Sequence, residues 1–170
     1  VAKTHPAYVE GDLFASLDPH DPKLVIIPHV VNDEKVWGAG FVLPLAEQFP
    51  VAKTLYLANH DLALGQTQFV PSDDGNVVVA NMVAQHFGHN PPLIYDSLEA
   101  CLKAVATTAK QYIQAGRDVE IRCPLFGSGI AGGDWNKIEE LIARHWLEND
   151  LPVTVFYLRR FLPPGWTPPN

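Results

Sequence analysis

Two glycine-rich runs carry the chemistry this sequence most clearly offers: WGAG at 37–40 and GSGIAGG at 127–133. Each follows an apolar run and precedes an amphipathic one, which puts both at strand-to-helix turns. Glycine lets the backbone come close to an anion, and exposed N–H groups at such a turn carry partial positive charge. One such loop fits an ordinary tight turn; two at corresponding positions point to a phosphate gripped from both sides. The trio Asn32-Asp33-Glu34 stands just before the first loop. The residues alone leave two readings open: a solvated turn, or part of the cleft, where a carboxylate orients a ribose hydroxyl or activates water. His86 and His89, in HFGH, read as solvated loop histidines. No Cys pair and no HExxH motif supplies the further ligands a metal site needs.

GSGIAG at 127–132 also satisfies the dinucleotide pattern G-x-G-x-x-G, with Glu148 and Asp150 following at about the expected 20 residues. A hydride-transfer site is excluded nonetheless, because only one strand candidate remains after this loop to complete a doubly wound sheet. The absence of GxxxxGK[ST] excludes a P-loop nucleotidase.

The elements that position these loops alternate along the chain. Residues 23–29 (KLVIIPH) and 119–124 (VEIRCP) read as buried strands, 66–70 and 77–83 as a strand pair about the turn SDDGN, and 153–158 as a last strand. Helices are expected at 41–49, with Pro50 ending it, at 93–115, and at 135–148 with Asp134 as N-cap. Strands alternating with helices give an α/β domain of helix–sheet–helix layers, with a mixed sheet of about six strands. The sequence predicts one domain over 1–160 and a Pro-rich tail over 161–170.

A length of 170 residues with 47% hydrophobic and 18% charged side chains allows a full core. Twelve basic against nineteen acidic residues give a net charge of −7, which disfavours nucleic acid as a partner. Cys101 and Cys123 read as packed, reduced thiols. With no long apolar run and no signal-like start, a soluble cytoplasmic protein without a membrane partner is expected.

These residues resemble the macrodomain, an ADP-ribose-binding α/β/α module, over nearly the whole chain. GDLF at 11–14 is similar to its early GD[IL] element, and IPHVVNDEKVWGAG at 27–40 to its first ligand loop. VANMVAQ at 79–85 resembles the central strand, and 124–135 the second ligand loop. The HVVN and GGDW forms are more similar to the branch of terminal ADP-ribose–protein glycohydrolases and DNA ADP-ribosyl glycohydrolase antitoxins than to the commoner Asn-Ala-Ala-Asn macrodomains. The resemblance implies that Asp12 accepts from the adenine amino group with Leu13 beside it, and that Phe156 packs on the ring with Leu158 lining the same face. It implies that Gly127, Ser128, Gly129, Ile130 and Ala131 wrap the diphosphate, while Asn32, Gly38 and Gly40 surround the distal ribose.

Two departures decide the chemistry. Members of the branch that form a lysyl intermediate carry Lys where this chain has Gln85, and some carry Asp where it has Ala131. An amide is not a nucleophile, so the covalent route is closed. The expectation is hydrolysis of ADP-ribose esters, on mono-ADP-ribosylated acidic side chains or in O-acyl-ADP-ribose, by water that Asp33 or Glu34 orients, with Asn32 also catalytic, by a monomer without cofactor or metal. A pure reader of ADP-ribose or mono-ADP-ribosylated protein, and an ADP-ribose 1″-phosphate phosphatase, are the alternatives.

Overall fold

The computed structural model describes residues 4–169; Val1–Lys3 at the start of the chain and Asn170 at the end of the expected tail lie outside it. Two runs form the centre because they are apolar on both faces: β2 (Leu24–Asn32) and β4 (Val77–Gln85), the latter buried at every position. Such strands are stable only when layers cover both sides. They pair in parallel, and around them the sheet runs β1 (Ala7–Glu10), β6 (Val153–Tyr157), β5 (Val119–Cys123), β2, β4, β3 (Thr67–Pro71). Five strands are parallel and β3 alone is antiparallel, joined to β4 through the SDDGN turn with Gly75 at φ 74°. This is the six-stranded mixed sheet that the sequence predicts.

Alternation along β2 splits its side chains between two cores. Leu24 and Ile26 join the cluster under α3 (Tyr95–Gln114) and α4 (Trp135–His145), which includes Leu98, Leu102, Ile138 and Ile142. Val25, Ile27 and Val31 face the other way, against Leu45, Ala52 and Tyr56 of α1 (Val42–Gln48) and α2 (Pro50–Ala58). Both cysteines are free and buried.

Several boundaries differ from the sequence expectations. β2 runs on to Asn32 and β4 to Gln85, which carries both strands up to the loops. Pro50 ends one helix and opens the next, because its missing N–H costs nothing at the first helical position. Leu93 pairs with Gln85 in an isolated bridge rather than starting α3. The fourth helix stops at His145 and a 3₁₀ turn, Leu147–Asn149, follows. The strand Ala7–Glu10 was not expected. After β6 a 3₁₀ turn, Arg159–Phe161, leads to Trp166, whose ring lies 5.2 Å from that of Tyr8 and 6.1 Å from that of Tyr157. No helix among the described residues is long and apolar enough to cross a membrane.

Candidate functional site

The five parallel strands all end on one edge of the sheet. In spatial order that edge presents Asp12 and Leu13 after β1, Leu158 after β6 and the 127–133 loop after β5. The 33–40 loop after β2 and His86 after β4 complete the row. At ~4.8 Å per strand the row is roughly 19 Å long. From β2 the chain continues to α1 on one face, and from β5 to α4 on the other, so the crevice between them is a topological switch point, where open α/β sheets bind ligands. The two glycine loops flank it, and they approach each other: a Cβ on Gly40 would stand 3.8 Å from the Ile130 side chain.

The glycines do different jobs. Gly40, Gly127 and Gly132 have φ of 80°, 76° and 71°, a region that side chains avoid. Gly133 is fixed by packing, since a Cβ there would lie 2.3 Å from Leu93 Cδ2 and 2.5 Å from the Gly127 carbonyl oxygen. Gly38 and Gly129 have neither reason: φ is outside the left-handed region and no atom stands within 4 Å of a built Cβ. Open space in front of an unforced glycine is what close approach of a ligand to the backbone requires. The N–H groups of Gly129, Ile130 and Ala131 have no acceptor among the described residues, whereas Ser128 is buried and donates its hydroxyl inward to the Leu125 carbonyl at 2.7 Å. A cavity of about 290 Å³ lies here, lined by Ser128, Gly129, Gly132, Gly133, Asp134 and Pro164. Asp134 caps α4, accepting from the Asn136 N–H at 3.0 Å, as its position in the sequence predicts.

In the first loop Asn32 is buried and organises the turn. Its Oδ1 accepts from the N–H groups of Glu34 and Val36, both at 3.0 Å, and its Nδ2 donates to the Val36 carbonyl at 2.7 Å. The Tyr56 hydroxyl donates to Asn32 from below, and burial pushes that phenol's pKa up to about 12. Lys35, with φ 62°, folds its ammonium over the Tyr56 ring, 4.7 Å from the centroid. The loop is therefore held from inside, and Gly38, Ala39 and Gly40 at its end are exposed.

The expectation for His86 requires correction. It is not simply solvated: its Nδ1 sits 3.0 and 3.2 Å from the two Asp33 carboxylate oxygens and 3.1 Å from Glu34 Oε1. The cause is register, because β2 and β4 pair Asn32 with Gln85 and so bring the next residues of each strand together. The hydrogen bond from His86 to Asp33, with the charge of both carboxylates, raises the imidazole pKa above its usual value. Donor atoms of Asp33, Glu34 and His86 all lie within 4.8 Å of one another. Gln85 is buried, and its carbonyl accepts from the Asp33 N–H at 3.1 Å. His89 is exposed and turns its Nδ1 to the Pro91 carbonyl at 2.6 Å.

At the other end of the row, Gly11 donates to the Tyr157 carbonyl at 3.0 Å, which sets Asp12 and Leu13 beside Leu158. One Asp12 oxygen accepts from the Phe14 N–H at 2.9 Å. Phe156 is half-buried against the α1–α2 core, while Leu158 is 38% exposed; Tyr157 faces the opposite side, toward Trp166. A larger cavity of about 450 Å³ lies away from this row, between Phe49, Val77 and Arg122. Its lining sets Asp18, Asp21, Asp73 and Asp74 against Lys23 and Arg122, a net negative charge that disfavours an anionic ligand.

No protein-family model matches the chain. A solved macrodomain protein from Streptomyces coelicolor is 35% identical, covers 88% of this chain and 97% of its own, and superposes with a TM-score of 0.71. This chain belongs to the macrodomain family. Thermosipho africanus DarTG, solved in complex with ADP-ribose, shares the fold at a TM-score of 0.70 and 18% identity, over 96% of this macrodomain and 44% of that chain. Among curated relatives, the ADP-ribose 1″-phosphate phosphatase of Candida albicans is 26% identical over 141 residues, 79% of this macrodomain and 90% of that protein. The chromodomain-helicase-DNA-binding protein 1-like of Danio rerio is 29% identical over 167 residues, 90% of this macrodomain but only 16% of that protein.

Proposed function

We propose that this macrodomain binds ADP-ribose along the carboxyl ends of its parallel strands and hydrolyses ADP-ribose esters of acidic side chains without a covalent enzyme intermediate. The observation that carries the reading is the order of groups along that edge. A carboxylate and an aromatic (Asp12, Phe156) are followed by free N–H donors (Gly129, Ile130, Ala131), and those by the glycine loop at Gly38 and Gly40. An extended ADP-ribose offers the same sequence of partners: adenine, diphosphate, distal ribose. Asp12 keeps one carboxylate oxygen for the adenine amino group, and Phe156 with Leu158 offers an apolar face to the ring. The diphosphate is met by backbone dipoles rather than by lysine or arginine, which suits a protein whose net charge is −7.

Gln85 stands at the end of β4, where an amine would be needed for an imine with the opened ribose, and its amide has no such reactivity. Water is then the nucleophile and the departing group must be a good one. A carboxylate leaves far more readily than an alkoxide, so acidic-residue esters are the substrates and serine ethers are not. A release assay checks this: free ADP-ribose should appear from glutamate-linked mono-ADP-ribosylated protein, and serine-linked substrate should be slower by at least about 100-fold. Binding without release from either would leave a reader of ADP-ribose. The similarity to the Candida albicans phosphatase favours a second reading, removal of the 1″-phosphate from ADP-ribose at the same distal end.

A further inference from the structure

The turn that leaves β4 lies against both glycine loops. On one side Asp33 and Glu34 contact His86; on the other, Pro91 Cβ stands 3.3 Å from where a Cβ on Gly132 would be, and Leu93 donates to the Ala131 carbonyl at 2.9 Å. His86 thus sits where the distal end of the cleft closes. Two carboxylates converge on its Nδ1, which fixes that nitrogen as the protonated one and leaves Nε2 to exchange protons. Nε2 has no partner among the described residues, and the side chain is 42% exposed. Gly88 lies beside it. Its φ lies outside the left-handed region, so the backbone does not require glycine, yet a Cβ there would stand 3.0 Å from Nε2. The titratable groups facing His86 are Asp33 and Glu34; His89, on the same turn, directs its Nδ1 to Pro91.

We propose that His86 is the general base of ester release, with Asp33 as its positioning residue. The inference rests on the hydrolase reading and names the group that reading lacked. Nε2 takes a proton from a water whose oxygen bonds to the anomeric carbon of the distal ribose. The bond from that carbon to the acyl oxygen breaks, the carboxylate leaves with the electron pair, and the imidazolium returns its proton to solvent. One ester and one water become ADP-ribose, a side-chain carboxylate and a proton. The carboxylates raise the imidazole pKa, so release should rise with pH through that raised value, where the free base forms.

The test measures release from glutamate-linked mono-ADP-ribosylated protein from about pH 5 to 9, and ADP-ribose affinity, for the wild type, His86→Gln and Asp33→Asn. His86→Gln should slow release by at least about 100-fold and change affinity by no more than about two-fold. Asp33→Asn should shift the rising limb of the pH profile to lower pH, because the imidazolium loses a carboxylate that held its proton; a merely structural role would leave the limb in place. Release by His86→Gln at the wild-type rate would overturn the assignment and leave the hydrolase reading standing. Loss of release on treatment with EDTA, restored by Mn²⁺, would also overturn it, since the trio would then hold a cation. A wild type that binds ADP-ribose and releases none would end both readings together.

Discussion

Gly129→Glu is expected to abolish ADP-ribose binding, by at least about 3 kcal/mol, while the protein melts within about 2 °C of the wild type. Both halves of the expectation come from the same geometry. No protein atom stands within 4 Å of a Cβ at this position and φ is not in the left-handed region, so the fold has room for the new side chain. That room is where the diphosphate would lie against the N–H groups of Gly129, Ile130 and Ala131, and a carboxylate there both fills it and repels the anion. Titration calorimetry and a thermal melt on the same sample read the two halves separately. A folded variant with wild-type affinity would remove the second loop from the site.

Four residues along the same loop the opposite result is expected. Gly133→Ala introduces a Cβ 2.3 Å from Leu93 Cδ2 and 2.5 Å from the Gly127 carbonyl oxygen. Leu93 is fully buried in the main core and the carbonyl is backbone, already accepting from the Gly133 N–H at 2.8 Å, so neither can simply step aside. Overpacking of this kind should cost about 3 kcal/mol, lowering the melting temperature by roughly 6–12 °C in a chain of this size. An unchanged melting temperature would show that the loop does not pack on Leu93 as described. The contrast between the two variants separates a glycine kept for a ligand from a glycine kept for the core.

Legibility from sequence followed how local the cause was. β2 and β4 were legible because strands buried on both faces give continuous apolar runs, and the glycine loops because punctuation after such runs marks a strand end. β1 was not, because its four residues are mostly exposed on an edge and are strand only through pairing with β6. α2 was hidden by Pro50, whose role as a stop and as a start cannot be told apart without the chain around it. The surroundings of His86 were not legible, for a deeper reason. Its contact with Asp33 spans 53 residues and exists only because β2 and β4 are neighbours, a fact no spacing within HFGH contains. Asn32 was legible as a polar residue at the strand end before the loop, but its work of holding the turn through Glu34 and Val36 depends on atomic geometry.

On the proposed reading one ligand spans the whole row, from Asp12 at the end of β1 to the loops after β5 and β2. Titration of the wild type with ADP-ribose, NAD and AMP reads whether it does. ADP-ribose should bind at least about tenfold more tightly than AMP, a difference of about 1.4 kcal/mol, because AMP reaches only the adenine end and one phosphate position. It should also exceed NAD, whose nicotinamide occupies the anomeric position that the proposed pose sets against the 33–40 loop and His86. Equal affinity for AMP and ADP-ribose would rule out a ligand that spans the row, because the end at Gly38 and Gly40 would then contribute nothing to binding.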